Sequence, residues 1–284
     1  MVSVSVIVTN RYSVISQMAD SVELILSSDI LNGAEDVSAT GDKFTVSLEN
    51  PIEVPADATS CEVQCMDAAL WFTVPNVDDA NRNFRVTGPD TLNVITVYNL
   101  QIPKGLYDLT GLSAAILREL SNAGAKQSPL PLLTFLQDDA TSKVVLVLNY
   151  ITVSVDFTIP NNLRFILGFD AGIITPVLPV PFAVLADNVA QFNTLNSFLI
   201  HCDIVQSGVR LNSTYSSIVA NPYINVSPGS QVLYQPYNPP SSSENQLIGS
   251  SISVIRCWVT DEKNRPIDTN GETWYFRIKI SYTI

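Results

Sequence analysis

Apolar and polar positions alternate along most of this chain. In KFTVSLENPIEVP, Phe44, Val46 and Leu48 share one face, and Asn-Pro followed by a second proline ends the predicted strand. SCEVQCMDAALWFTVPN predicts a long strand with Ala68, Leu70 and Phe72 in step, closed by Pro75-Asn76. After the polar loop VDDANRN come two further strands, FRVTG and NVITVYNLQIP. LTGLSAAILRELSNAG breaks the alternation. Leu109, Leu112, Ile116 and Leu120 recur at helical spacing, with Thr110 as the expected N-cap and Gly124 as the stop. KVVLVLNYITVSVDFTIP predicts two strands with a bend near Asn149, and NNLRFILGF a short helical turn. Pro176, Pro179 and Pro181 make residues 171–196 an expected loop that returns the chain. Strand texture then resumes in SFLIHCDIVQ, TYSSIVA, SQVLYQPY, SISVIRCWVTDE and ETWYFRIKISYTI. PYNPPSSSENQ is read as a surface loop and Asp268-Thr269-Asn270-Gly271 as a turn.

This order of elements predicts a mainly β protein, a single jelly-roll β-sandwich with an inserted small α+β module. The expected boundaries are an N-terminal arm at 1–40, the jelly roll at 41–75 and 197–284, and the inserted module at 76–196. The arm opens with VSVSVIVT and is read either as packing on something else, such as a neighbouring subunit, or as a plain extra strand and loop.

Composition narrows the function classes. Apolar residues make up 46% of the 284 residues and charged residues 15%, the balance of a folded chain rather than a disordered one. No apolar run reaches the ~18 residues of a membrane span, so none is expected. The start lacks a positive segment before its apolar part and is read as mature protein. A formal charge of −12 disfavours nucleic acid as the main partner.

Chemistry-bearing residues are sparse. His201 is the one histidine, on a predicted strand with no G-x-S-x-G elbow beside it. Cys61 and Cys65 share a strand face about 13 Å apart, too far for a shared metal or a disulfide. With Cys202 and Cys257 they are read as buried thiols. The acidic doublets Asp78-Asp79, Asp138-Asp139 and Asp261-Glu262 fall at turns. No glycine-rich phosphate loop is present. We therefore expect no enzyme, no catalytic or metal-ligating set and no cofactor. Tyr215, Tyr223, Tyr234 and Tyr237 cluster in the last third of the chain and are the candidate interface residues, because tyrosine suits protein contacts.

The segments also resemble a known family. KFTVSLENPIEVPADATSCEVQCMDAALWFTVPNV has the form F-x-V-x-L, then P-I-x-[VI]-P, then an apolar strand ending W-x-x-x-P-N. In that form it resembles the first jelly-roll segment of penton (vertex, minor capsid) proteins from virophages and Polinton-like viruses. IPKGLYDLTGLSAAILREL with LRFILGF resembles their inserted module. SFLIHCDIVQSGVRLNS and ISVIRCWVTDEKNRPIDTNGETWYFRIKI resemble their closing strands. The resemblance covers roughly residues 43–284, and the order of the motifs carries it. It implies a structural capsid protein, a homopentamer closing the fivefold vertices of an icosahedral shell. It also implies contact with a major capsid protein, a place at the capsid vertex of the virion, and synthesis in the host cell. The alternative is a viral spike or a receptor- or carbohydrate-binding β-sandwich module, with Trp274 and Tyr275 as an exposed aromatic platform.

Overall fold

The computed structural model describes residues 19–193, 195–209 and 216–284. In chain order the strands are β1 (Ala19–Ser27), β2 (Ala34–Glu35), β3 (Lys43–Glu53), β4 (Ser60–Trp71), β5 (Asn83–Pro89), β6 (Ile95–Gln101), β7 (Leu133–Asp138), β8 (Lys143–Leu148), β9 (Ser154–Asp156), β10 (Ile173–Ile174), β11 (Phe182–Leu185), β12 (Leu199–Cys202), β13 (Ile218–Ala220), β14 (Gln231–Tyr234), β15 (Ser241–Ser243), β16 (Ser251–Thr260) and β17 (Tyr275–Thr283). The helices are α1 (Leu109–Asn122) and α2 (Arg164–Leu167). Contacts divide the chain into two compact units. One runs to Val74 and resumes at Leu195, and the other is Pro75–Thr194.

The first unit is a jelly-roll sandwich. One sheet has the order β1-β17-β4-β14 with β15 also on β4, and the other runs β13-β12-β16-β3-β2. β14 pairs with Ala68–Trp71 and β15 with Glu62–Gln64, so they are two halves of one strand broken by the proline-rich loop. Setting aside the two-residue β2, the strands fall in the order 1-8-3-6 in one sheet and 2-7-4-5 in the other. That is the eight-strand, double Greek-key order. Trp274 anchors the core: it meets Phe44 edge-on at 5.0 Å, stacks on Phe276, and donates its indole N–H to Gly41 O at 2.9 Å.

Two expectations change here. Residues 19–27 are no arm. They pair with β17 from Ala19↔Thr283 to Ser27↔Tyr275, and Leu24 and Leu26 are buried in the core. β1 is the first strand of the roll; its weak alternation, with Asp20 on the row of Leu24 and Leu26 and the apolar Ile25 outward, hid it. Residues 1–18 of the expected arm lie outside the described residues. Nor does β3 stop at Asn50-Pro51. Its pairing with β16 jumps from Ser47↔Val254 to Ile52↔Ile252, and the proline sits in the segment that bulges out between them.

The second unit wraps one apolar core between two small sheets and α1. The sheets have the orders β10-β9-β5-β6 and β11-β8-β7. Phe84 lies 6.1 Å from Phe135 and 6.0 Å from Phe157, and Leu112, Ala115, Ile116 and Leu120 of α1 are buried in the same cluster. The cap of α1 is Asp108, whose carboxylate accepts the Gly111 N–H at 2.6 Å, rather than Thr110. Residues 171–196 are not all loop. Directly after Pro181, β11 joins the edge of its sheet, where a preceding proline costs no ladder bond. Asn76 closes the unit where the chain enters and leaves it: its amide donates to Tyr107 O and Phe192 O at 2.8 and 2.9 Å.

Candidate functional site

The outer face of the β1-β17-β4-β14 sheet has two halves, and the register sets both. At one end the cross-strand row is Ser27–Tyr275–Ala69–Leu233, with Trp71 beside it opposite Gln231. Ile25 stands in the next row, paired with Arg277. Ile25 is 69% exposed, Leu233 58%, Tyr275 41% and Trp71 38%. Toward the other end the rows turn polar. Arg277 bridges Asp67 and reaches Glu23 at 3.7 Å, and Lys279 stands opposite Glu23 and Gln64. A patch of exposed aliphatic and aromatic side chains, bordered by paired charges, has the make-up of a protein–protein contact.

A bulge in β4 creates this patch. Cys65 pairs with Ile278 and Asp67 with Arg277, which leaves Met66 as the extra residue. Before it Cys61, Val63 and Cys65 point inward; after it Ala68 and Leu70 do. The shift turns Trp71 outward, where an unbroken alternation would bury it.

The four candidate tyrosines do not converge. Tyr237 is fully exposed on the loop that splits β14 from β15. Tyr223 is exposed where it bridges Ser197 beside the other sheet. Tyr234 lies on the inner row with Ala68 and Phe276 and is half-buried; burial, then the nearby Cys65, pushes its phenol pKa up. Tyr215 lies outside the described residues. Trp71, Leu233 and Ile25 were not singled out as contact residues from the sequence; Tyr275 was named there with Trp274, in the aromatic-platform alternative. The visible signal was the change of phase along CEVQCMDAALW, together with the aromatic Tyr275 next to Trp274.

The remaining chemistry-bearing side chains have structural partners. His201 is buried, stacked on Trp258 at 5.0 Å, with Ser217 Oγ and Thr260 Oγ1 at 3.1 and 2.9 Å from its ring nitrogens. Burial pushes its pKa down to about 4, so the ring is neutral. Asp203 does not reach it; that carboxylate accepts the Arg256 N–H and faces the Arg256 guanidinium. All four cysteines are buried and free. Glu244, fully buried, accepts from the backbone N–H groups of Gln206 and Ser207 and so ties that turn to the end of β15. Trp274 is 2% exposed, which removes it from any surface platform. Among the described residues, no three His, Cys, Asp or Glu side chains gather as a metal site, and no helix is long and apolar enough to cross a membrane.

No protein-family model matches the chain, and no curated protein matches its sequence. Among solved structures, the crystal structure of the selenomethionine-labelled mavirus penton protein is similar at a TM-score of 0.47 and 11% identity. The match covers 93% of this chain and 100% of that one.

Proposed function

We propose that this chain is a structural capsid protein of a virus, assembling as a homopentamer that closes the fivefold vertices of an icosahedral shell. Its partners are then further copies of itself and a major capsid protein, and its place is the capsid vertex of a virion built in a host cell. No catalytic group or cofactor enters this reading. The observation that carries it is the outer sheet face bearing Ile25, Trp71, Leu233 and Tyr275, set on an eight-strand jelly roll. The motif order along residues 43–284, which resembles the penton family, supports it. A ring closes when one heterologous contact repeats until the rotation returns to its start. Such a contact needs an apolar, aromatic-bearing centre with charges kept to its border, and this face has both. The spike or carbohydrate-binding alternative loses its proposed platform, because Trp274 is in the core.

Native mass spectrometry of the purified chain tests the reading. A species near five times 31.0 kDa is expected, and Leu233→Asp, on the solvent side of β14, is expected to return it to monomer without changing the circular dichroism. A trimer that survives Leu233→Asp points instead to a spike. A monomer at high concentration, with no incorporation into shells of the major capsid protein, overturns the vertex role.

A further inference from the structure

Among the described residues β6 is an open sheet edge with none of the usual protection. It ends the order β10-β9-β5-β6. Asp90 N donates to Val94 O and Ile102 N to Arg82 O, and the β5–β6 register between them is unbroken. Even-numbered residues therefore bond to β5. Ile95, Val97, Asn99 and Gln101 turn their N–H and C=O groups away from it, toward the free side. The side chains of these four residues are exposed, Ile95 at 50% and Val97 at 54%, while Tyr98 and Leu100 fasten the strand to the core.

Sheet edges are normally blunted by charge, proline, bulges or short length. Among the described residues the other edges follow that rule. β1 carries Asp20 and Glu23, and β7 ends in Asp138. β2, β10, β11, β13, β14 and β15 have four residues or fewer. β6, ITVYNLQ, is seven residues long with no charge, no proline and no register shift.

We propose that the free edge of β6 takes up an extended segment of another polypeptide as an added strand. The partner's chemistry follows from the edge. It donates and accepts backbone hydrogen bonds at alternate residues. It carries no charge, since β6 offers none to pair with. It places aliphatic side chains beside Ile95 and Val97 and tolerates polar ones beside Asn99 and Gln101. A stretch of this pattern exists in the chain itself, Val2-Ser3-Val4-Ser5-Val6-Ile7-Val8. Those residues lie outside the described ones, and as a synthetic peptide they supply a probe. The inference rests on the second unit alone and stands or falls independently of the vertex reading.

The test is fluorescence anisotropy with a labelled VSVSVIVT peptide carrying a lysine tail for solubility, titrated with the full chain. Saturable binding is expected, with no binding by a control peptide in which the valines are replaced by lysine. Val97→Pro removes an outward donor and leaves the β5 ladder intact, so it is expected to weaken binding by about tenfold or more at unchanged circular dichroism. Val97→Lys, a charge on the same edge, gives a second reading should the proline variant misfold. Equal binding by wild type and both variants overturns the proposal, as does absence of saturable binding. Self-association of the wild type that Val97→Pro abolishes, with no peptide binding, overturns the proposed partner in favour of a second β6.

Discussion

The sandwich and the inserted unit are built from contacts of opposite reach. In the sandwich β1 pairs with β17, β3 with β16 and β4 with β17, so Ala19 sits opposite Thr283. In the insert β5 pairs with β6 across a tight turn and β7 with β8 across another, with α1 packed against β6 and β7. Long loops must close before the sandwich gains its contacts, whereas the insert gains most of its own between neighbours in sequence. The lesson is an asymmetry of dependence: the sandwich needs both distant parts of the chain, and the insert needs neither.

Removing residues 1–27 is the harshest way to break that comparison. The deletion strips the first strand from the roll, uncovers the β17 edge and takes Leu24 and Leu26 out of the core. The sandwich is expected to lose its cooperative transition, while residues 75–194 expressed alone keep theirs. The two are separable in one experiment. All three tryptophans, Trp71, Trp258 and Trp274, are in the sandwich, and both α-helices are in the insert. Tryptophan fluorescence therefore follows one unit and helical circular dichroism the other. A truncated chain whose fluorescence transition matches the full chain's refutes the dependence.

Trp274→Ala is the next largest perturbation. It empties the contact with Phe44 and Phe276 and leaves Gly41 O without its indole donor. A loss of about 3–5 kcal/mol is expected for a buried aromatic of this kind. In urea the fluorescence midpoint should fall, and the helical signal should hold its own midpoint. Movement of both together would mean that the units unfold as one.

How far the sequence spoke follows the same division. The helix was legible because Leu112, Ile116 and Leu120 keep one period over about two turns. Its cap was misplaced by two residues, since Thr110 and Asp108 both suit the role and only geometry chooses between them. The mainly β jelly roll was legible from alternation, yet its first strand was not, because β1 buries few large side chains besides Leu24 and Leu26. The outer patch was harder still. It depends on Met66 being left unpaired, and a phase change of one residue reads in a sequence as noise unless the partner strand is known. Tyrosine content pointed to Tyr234, whose ring the strand's parity turns inward. Composition carries no parity.

pH separates the units more gently. His201, held near 4 by burial, is neutral in the folded sandwich, whereas in the unfolded chain its ordinary value is 6.5. Above 6.5 both states are neutral and pH has no effect through this residue. Between 6.5 and about 4 the unfolded chain takes up a proton that the folded chain refuses, so stability falls as pH drops, by about 3 kcal/mol in all. In the insert the sign is the same, but the window lies lower. Burial pushes Asp156 up, but hydrogen bonds from Thr158 and the Arg85 guanidinium outweigh it and hold the carboxyl below its ordinary 3.8. Its contribution is intact above 3.8 and is lost only as pH falls further. Urea titrations from pH 7 to pH 4.5 are thus expected to shift the fluorescence midpoint, with His201→Gln flattening that shift.

The smallest effect settles the cap of α1. Asp108 holds extended backbone, φ −92° and ψ 178°, and its side chain accepts the Gly111 N–H two residues into the helix. Replacing it by alanine leaves that donor without its partner and removes a negative charge from the positive end of the helix dipole, a cost of about 1 kcal/mol. Thr110 lies inside the first turn and is exposed, so alanine there is expected to cost nothing or to gain a few tenths of a kcal/mol from its higher helix propensity. The helical midpoint of residues 75–194 should fall for Asp108→Ala and not for Thr110→Ala. The reverse result would start the helix two residues later and free Asp108 for another partner. Because both substitutions lie in the insert, neither should move the tryptophan signal of the full chain. That makes the pair a sensitive gauge of how independently the two units hold together.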